Sequence, residues 1–322
     1  MSNLKKLIIL LILLLIGIPL IGFGAIYFKL NSMYVPDKNT KKNEFYENAK
    51  KNKDITNILL AGVDGTNIEK GNRSDSMMIL TIDNKHGKLK LTSLARDTYV
   101  DISGYSTEKL THAYAYEGPN LLLETIEKNF GINIDKYITV SFNSFIDIVD
   151  ILGGIDVEVK ENDLNMLNKY IKTSYKFDAK ENKEPVKLIE TAGTHKLNGY
   201  QALAFSRIRY QDSAYARDSR QREVIQSIVK DIEKQGIDKF IKILNTGIKN
   251  VKTNLSPVEM ISLGYRAMTI KDKNIEELEF PVYKEGKILP GKGWVIQWDK
   301  EKNLEILNNF IFNNGSSEKY NR

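Results

Sequence analysis

The sequence predicts an α/β layered domain preceded by one N-terminal transmembrane helix. Short apolar runs with strand character alternate with segments of helical periodicity, which is typical of a layered α/β sheet. Residues 7–28 carry no charge, and about 20 apolar residues suffice to span a bilayer. Apolar residues make up 42% and charged residues 27% of the 322, a balance typical of a globular domain.

The apolar run at residues 7–28 is dominated by Leu and Ile. We interpret it as an uncleaved anchor in the cell membrane, with residues 1–6 as a cytoplasmic tail. The alternative is a cleaved signal peptide, but the run is longer than the usual apolar region and no clean cleavage site follows it. Lysines on both sides leave the orientation open by charge alone. Residues 29–54 are polar and are interpreted as a linker or stalk, and residues 55–322 as the folded, extracytoplasmic domain.

The folded domain begins with a compact apolar run that predicts a buried strand. We expect strands at 57–63, 77–82, 88–94, 137–142, 156–159 and 275–282. We expect helices at 120–130, 144–152, 198–206, 214–234, 237–250, 256–269 and 304–312. Residues 161–186 are polar and are interpreted as a long surface insertion.

The net charge of +6 comes from the N-terminal region. Residues 1–53 hold nine Lys and three acidic residues, and the remainder holds 38 basic and 38 acidic residues. Because a nucleic-acid-binding protein carries its basic excess on the folded domain, we expect no nucleic-acid partner. The absence of cysteine excludes disulfides, thiolate metal sites and cysteine nucleophiles.

Arginine is scarce and concentrated. Only nine of the 47 basic residues are Arg, and five of them lie between Arg207 and Arg222. The planar guanidinium grips a phosphate at two points, which a Lys ammonium does not do. This distribution indicates a binding site for an anion.

The first candidate motif pairs Asp64 with the segment Arg73-Ser74-Asp75-Ser76. Asp64 follows a predicted buried strand at its carboxyl end, where ligands bind in open α/β sheets. Asp75 stands just before the next strand, so a hairpin-like path would bring the two carboxylates together. One or two carboxylates together with phosphate oxygens suit Mg²⁺. The alternative interpretation is a turn Asp and a strand-capping Asp.

The second motif follows the predicted strand 88–94. Arg96 is a candidate phosphate clamp, and Asp97 either orients Arg96 or caps the turn. The alternative is a surface ion pair, which contributes little to stability.

The third motif covers residues 197–210 and 217–222. If residues 206–210 are extended, Arg207 and Arg209 point to one side. If residues 214–234 form a helix, Arg217, Arg220 and Gln221 share one of its faces. Converging arginines repel each other, and a pyrophosphate ligand would relieve that repulsion. The start of the helix also offers free N–H groups to an anion.

Asp218 and Arg222 lie four residues apart on another face of the same predicted helix. We expect them to form a solvated pair worth about 0.3–0.5 kcal/mol.

These motifs together closely resemble the LytR-CpsA-Psr family of bacterial cell-wall ligases over about residues 56–230. The matching segments are NILLAGVD, RSDSMMILTID, TSLARDTYV, LGGIDVEV, GTHKLNGYQALAFSRIRY and ARDSRQREVI. The resemblance implies an α-β-α layered domain with a central mixed sheet and an apolar channel for a polyprenyl chain.

The resemblance also implies an activity. A glycopolymer such as teichoic acid or capsule would pass, with its phosphate, from a polyprenyl-pyrophosphate carrier to a peptidoglycan sugar hydroxyl. Asp64 and Asp75 match the acids that bind Mg²⁺, with Mn²⁺ as the alternative ion. The positions that match the pyrophosphate-contacting residues are Arg73, Arg96, Arg207, Arg209, Arg217 and Gln221.

One position departs from the family pattern. Many members carry an Asp three residues before the match to Arg217, where this chain has Ala214. Asp212 lies nearby and would substitute if the loop shifts, so the sequence assigns no general base.

Two competing functions remain open from the sequence. A lipid-pyrophosphate hydrolase would use the same cation and arginines with water as the nucleophile. A non-catalytic membrane regulator would bind the polyprenyl phosphate without turnover, and Ala214 keeps that interpretation open. A Ser–His–Asp hydrolase is unsupported, and the absence of a Walker A loop argues against ATP as the phosphate donor.

Overall fold

The computed structural model describes residues 18–36, 54–65, 68, 71–178, 180, 184–208, 214–243, 250–270, 272, 274–317 and 320. Its strands are β1 (Ile55–Val63), β2 (Ser74–Asp83), β3 (Lys88–Leu94), β4 (Tyr99–Asp101), β5 (Thr107–Lys109), β6 (Lys136–Ser141), β7 (Ile155–Val159), β8 (Gly193–Leu197), β9 (Val251–Thr253), β10 (Ile275–Phe280), β11 (Lys284–Leu289) and β12 (Gly293–Trp298).

From β5 to β10, one or two of the described helices stand between successive strands. The helices are α1 (Ile18–Asn31), α2 (Leu110–Glu117), α3 (Pro119–Phe130), α4 (Phe142–Leu152), α5 (Leu164–Ser174), α6 (Gly199–Arg207), α7 (Ala214–Lys242), α8 (Pro257–Thr269) and α9 (Lys300–Phe312).

The central sheet is mixed, as the family resemblance implies. Within the described residues it has six strands in the order β10-β3-β2-β1-β6-β9. Strand β1 pairs in parallel with β6, and β3 with β10, whereas the other neighbours are antiparallel. Strands β4 with β5, β7 with β8, and β11 with β12 form separate two-stranded ribbons. The six predicted strands are all present, but β7 lies outside the central sheet.

Alternation along β1 assigns the helices to the two faces of the sheet. Leu59, Ala61 and Val63 belong to a core that contains residues of α2, α3 and α9. Ile58 and Leu60 face the other way, into a cluster with residues of α8. Successive side chains of a strand point to opposite faces of the sheet. These two clusters are therefore the contacts between the sheet and the helical layer on each side, which gives an α-β-α arrangement.

A further core lies outside these two interfaces. It joins residues of α4, α5, α6, β7, β8 and the first half of α7. The predicted surface insertion at 161–186 is therefore wrong for its first part, because α5 buries Leu167 and Ile171 completely in this core. Their spacing with Leu164 is an apolar helical stripe that the polar composition of the segment obscured.

One other boundary differs from the prediction. The two helices expected at 214–234 and 237–250 are one helix, α7, as far as Lys242. The expected break falls at Gly236, but a single glycine inside a helix costs only about 1 kcal/mol, which a long helix tolerates.

The described part of the N-terminal region is α1 and the five residues after it. Residues 1–17 of the predicted tail and anchor, and residues 37–53 of the predicted linker, lie outside the described residues. Leu30 and Met33 are buried in a small cluster with Val251 of β9. Among the residues that the structure describes, no helix is both long and apolar enough to cross a membrane.

Candidate anion and cation site

A cavity of about 310 Å³ opens at one edge of the central sheet. Its lining residues are Asp64, Arg73, Asp75, Arg96, Tyr170, Ser206, Arg207, Arg217 and Gln221. The three sequence motifs therefore meet at one place. Arg209, the remaining member of the predicted pyrophosphate set that matched the family, lies outside the described residues.

The two predicted metal-binding acids come together through the hairpin path that the sequence suggests. Strands β1 and β2 are antiparallel, so the end of β1 and the start of β2 share one edge. The Asp64 N–H donates to the Arg73 carbonyl at 2.9 Å, and the Arg73 N–H donates to Asp64 Oδ1 at 2.5 Å. The turn thereby fixes the Asp64 carboxylate beside the backbone that leads into Asp75.

Arg96 reaches the same edge from the end of β3. Its guanidinium forms an ion pair with Asp75, and its Nε lies 3.4 Å from Asp97 Oδ2. Lys109 Nζ lies 3.4 Å from the other oxygen of Asp97. This geometry agrees with the interpretation that Asp97 orients Arg96.

The donor set at this edge fits a magnesium ion. Two carboxylates line one cavity that also has room for phosphate oxygens, which is the combination that Mg²⁺ prefers. Within the described ranges, no group of three or more His, Cys, Asp or Glu residues gathers to hold a metal. A cation held by Asp64 and Asp75 would therefore complete its shell with oxygens from a ligand or from water.

Arg207 is held at the end of α6 by aromatic rings. Its guanidinium carbon lies 5.0 Å from the ring centre of Phe142, 5.6 Å from Tyr170 and 5.4 Å from Phe177. Its Nη1 donates to Ser174 Oγ at 3.1 Å. Burial lowers the pKa of the Arg207 guanidinium, an effect that nearby carboxylates oppose, but Arg stays protonated in proteins. The rings thus orient a fixed positive charge toward the cavity.

The position of α6 depends on a close contact with α4. A Cβ atom placed on Gly199 would lie 2.3 Å from the Ile146 carbonyl oxygen and 2.7 Å from its Cα. The two helix backbones approach this closely only because Gly199 has no side chain. A capping box then starts α6, with the Asn198 side chain accepting from the Gln201 N–H at 3.1 Å.

Helix α7 supplies the other side of the cavity. Arg217 donates to Asp218 Oδ1 through Nε at 3.0 Å and through Nη2 at 2.8 Å. Gln221 donates from Nε2 to the Ser206 carbonyl at 3.3 Å, which joins α7 to the end of α6. Arg217 is only 6% exposed and paired with Asp218, so this ion pair lies in a partly desolvated setting where charges interact more strongly than in water.

Arg220 is placed differently from the prediction, because it is not among the cavity-lining residues. Its Nη2 donates to Asp163 Oδ1 at 2.7 Å, and its Nη1 donates to the Ile208 carbonyl at 3.4 Å. Asp163 is buried just before α5 and draws the guanidinium away from the side chains of Arg217 and Gln221.

The predicted solvated pair of Asp218 and Arg222 is wrong. Both residues are 2% exposed, and each has a different partner. Asp218 binds Arg217, whereas Arg222 donates from Nε to Glu277 at 2.7 Å and from Nη1 to Ser93 at 3.0 Å. Arg222 therefore joins α7 to the central sheet.

Two cavity residues were missed by sequence reasoning. Ser206 lies inside the third motif, but only the arginines and Gln221 of that motif were predicted to contact a ligand. Tyr170 lies on α5, in the segment interpreted as an insertion, and only the apolar spacing of that helix would have indicated it. The helix start at Ala214 agrees with the prediction, whereas Asp212 lies outside the described residues.

Comparison with known proteins shows which family the chain resembles. The model of the LytR_cpsA_psr family matches residues 22–310. A relative from Bacillus mycoides is named polyisoprenyl-teichoic acid–peptidoglycan teichoic acid transferase TagU. It is 34% identical over 290 residues, which cover 86% of this chain and 88% of the relative.

Solved structures show the same fold. TagT, a Bacillus subtilis protein, was solved bound to LIIa-WTA and has a TM-score of 0.63 at 28% identity, covering 81% of this chain and 91% of that one. The YwtF (TagT) structure with bound octaprenyl pyrophosphate lipid has a TM-score of 0.59 at 28% identity, covering 81% and 90%. With the family model matched over most of its length, the chain belongs to the LytR_cpsA_psr family.

Proposed function

We propose that this protein is a membrane-anchored phosphotransferase of cell-wall assembly. It moves a glycopolymer, with its phosphate, from a polyprenyl-pyrophosphate carrier to a peptidoglycan sugar hydroxyl. The observation that carries this proposal is the single cavity where two carboxylates meet four arginines: Arg73, Arg96, Arg207 and Arg217. The name of the TagU relative and the octaprenyl pyrophosphate bound to YwtF support this substrate class.

The arginines account for the chemistry of the transfer. The acceptor hydroxyl oxygen forms a bond to the glycan-bearing phosphorus, the bond from that phosphorus to the bridging oxygen breaks, and polyprenyl phosphate leaves. The hydroxyl proton is released to solvent. Arg207 and Arg217 bind the pyrophosphate oxygens and stabilise the charge that develops on the transferred phosphoryl group and the leaving phosphate.

Asp64 and Asp75 would hold Mg²⁺, or Mn²⁺ in its place. A bound divalent ion supplies further charge neutralisation to the phosphoryl oxygens. In the free protein Asp75 accepts a hydrogen bond from Arg96. A carboxylate offers about four lone-pair positions, so Asp75 can serve Arg96 and a cation together.

The proposed location follows from the apolar run at residues 7–28. A single transmembrane anchor would hold the domain on the outer side of the cell membrane, where the lipid carrier presents its glycan and the peptidoglycan acceptor lies. The anchor is part of the proposal, because most of that run lies outside the described residues.

The experiment is a transfer assay with the full chain in detergent micelles. The substrates are a polyprenyl-pyrophosphate-linked saccharide and peptidoglycan oligomers, with either Mg²⁺ or a chelator, and mass spectrometry identifies the products. A phosphodiester conjugate that forms only with the cation supports transfer. Free glycan phosphate alone would indicate a hydrolase, and retained lipid without turnover would indicate the non-catalytic regulator.

The variant Arg217→Ala tests the site itself. Losing one charged donor to the developing charge costs about 100–1,000-fold in rate in comparable sites. The matched control is Arg266→Ala on α8, because Arg266 is bonded to Asn84 and Thr56 and not to the cavity. Equal rates for both variants would overturn the assignment.

A further inference from the structure

Helix α8 presents an uncharged surface to solvent. Its exposed positions are Val258, Ser262, Gly264, Tyr265, Met268 and Thr269. Val258, Tyr265 and Met268 are 62%, 70% and 77% exposed. Three large exposed apolar side chains on one uncharged helix surface, in a chain that is 27% charged, indicate an interaction site.

The two charged residues of α8 are turned toward the domain. Glu259 accepts from the Ser256 backbone at 2.8 Å as part of the helix cap, and it pairs with Lys136 at 2.8 Å. Arg266 donates to Asn84 at 2.7 Å and to Thr56 at 3.1 Å. Both charges are thus used in packing α8 against the sheet, and the outer face is left neutral.

The apolar residues of that face form a stripe. Val258, the half-buried Ile261, Tyr265 and Met268 recur at intervals of three, four and three residues. This spacing places them on one side of the helix. We call these four residues the α8 stripe.

Helix α1 lies beside the α8 stripe. Ile26, Leu30 and Met33 pack in one cluster with Met260 and with Ile261, the half-buried member of the stripe. Backbone bonds reinforce this contact, since the Met33 carbonyl accepts from the Thr253 N–H at 3.0 Å and the Val35 N–H donates to the Thr253 carbonyl at 2.8 Å. The contact is therefore part of the folded domain.

No spacer separates this contact from the apolar run. The uncharged run ends at Phe28, which is 74% exposed, and Leu30 is buried two residues later. At 1.5 Å per residue, Leu30 lies only about 3 Å along the helix from the end of the run. A span that ends at residue 28 would hold α8 within roughly a helix diameter of the bilayer surface.

We infer that the α8 stripe lies on the outer surface of the lipid bilayer and sets the orientation of the domain on the membrane. The inference rests on the anchor of the proposed function. Apolar side chains together with a Tyr are typical of the membrane–water interface. The stripe needs little affinity of its own, because α1 already holds it at a high effective concentration near the lipid.

The test uses the absence of cysteine from the native chain. Met268→Cys is labelled with an environment-sensitive nitrobenzoxadiazole dye, and the full chain is reconstituted into phosphatidylcholine–phosphatidylglycerol vesicles. The matched control is Ile288→Cys on β11, because both native residues are 77% exposed. Vesicle flotation reports separately whether the anchor inserts.

We expect the dye at position 268 to show blue-shifted emission and to lose most of its intensity to lipids that carry a nitroxide near the headgroup. The dye at position 288 should show neither effect. If the chain floats with the vesicles and both dyes remain unquenched, the inference is overturned and the anchor stands. If the chain fails to float, the anchor and the inference fail together.

A blue shift at position 268 without lipid quenching, growing with the protein-to-lipid ratio, would assign the α8 stripe to a second copy of the chain and would also overturn the inference.

Discussion

The substitution Arg207→Lys tests whether pyrophosphate binding depends on the geometry of the guanidinium or only on the positive charge of the cavity. The charge is kept, but the planar fork that binds two phosphate oxygens is lost. Lys also loses the orientation that the Arg207 guanidinium gains from three rings at 5.0–5.6 Å and from Ser174 at 3.1 Å. A model in which the site attracts pyrophosphate by net charge alone predicts no change.

The size of the loss follows from these contacts. One charge-assisted hydrogen bond is worth about 1.5–3 kcal/mol, and a cation–π contact adds about 0.5–1 kcal/mol where it is partly exposed. Allowing for replacement by the Lys ammonium, we expect a net loss of about 2–3 kcal/mol, or roughly 30–150-fold in Kd.

The assay is calorimetric titration of the full chain in detergent with a short-chain prenyl pyrophosphate. Arg266→Lys on α8 is the matched control, and unchanged thermal unfolding shows that both variants fold. A Kd for Arg207→Lys within about threefold of the native value, less than 0.7 kcal/mol, would refute the argument from geometry.

Three further predictions concern the metal, the packing and a buried acid. Asp75→Asn should raise the half-saturating Mg²⁺ concentration for transfer about tenfold, or about 1.4 kcal/mol; an unchanged Mg²⁺ titration would remove Asp75 from the metal site. Gly199→Ala should lower the free energy of unfolding by about 1–3 kcal/mol, because its Cβ would meet the Ile146 backbone; an unchanged urea midpoint would contradict this contact. Burial raises the pKa of Glu279, although Lys284 opposes the shift. The stability that this carboxyl contributes is complete below the ordinary pKa of Glu and is lost as pH rises through the raised value. Glu279→Gln should therefore unfold at higher urea than the native protein at neutral pH, with the difference vanishing near about pH 4; a pH-independent difference would disprove it.

The sheet edge could be predicted from sequence because it depends on local patterns. A compact apolar run predicts a buried strand at residues 57–63, a second strand is predicted at 77–82, and a hairpin-like path between them would make them antiparallel. Asp64 and Asp75 then have to share an edge, as they do. Arg96 follows by the same reasoning from the end of the next strand.

The helical side of the cavity could not be predicted in the same detail. Helical periodicity indicates which residues of α7 share a face, but it does not indicate which buried acids lie opposite. Arg220 is drawn to Asp163, 57 positions away, and Arg222 to Glu277, 55 positions away. Such partners are fixed by tertiary packing, which single-sequence periodicity does not contain. Tyr170 was missed for a different reason, because the polar composition of residues 161–186 obscured the apolar stripe of α5.

The residues that line the cavity come from elements that pack in two separate hydrophobic cores. Asp64, Arg73, Asp75 and Arg96 extend from the edge of the sheet, whose core contains α2, α3 and α9. Tyr170, Ser206 and Arg207 belong to helices of the other core, and α7 joins the two through Arg222.

A ligand bound between the acids and the arginines would therefore connect elements of two hydrophobic cores that pack separately. At 100 times its Kd, such a ligand stabilises the native state by about 2.7 kcal/mol. If the two cores open separately in the free protein, part of this stabilisation would appear as slower hydrogen exchange in α5, which packs in the core that does not contain the strands leading to Asp64 and Asp75. The lipid carrier would then be both the substrate and a temporary structural element of the enzyme.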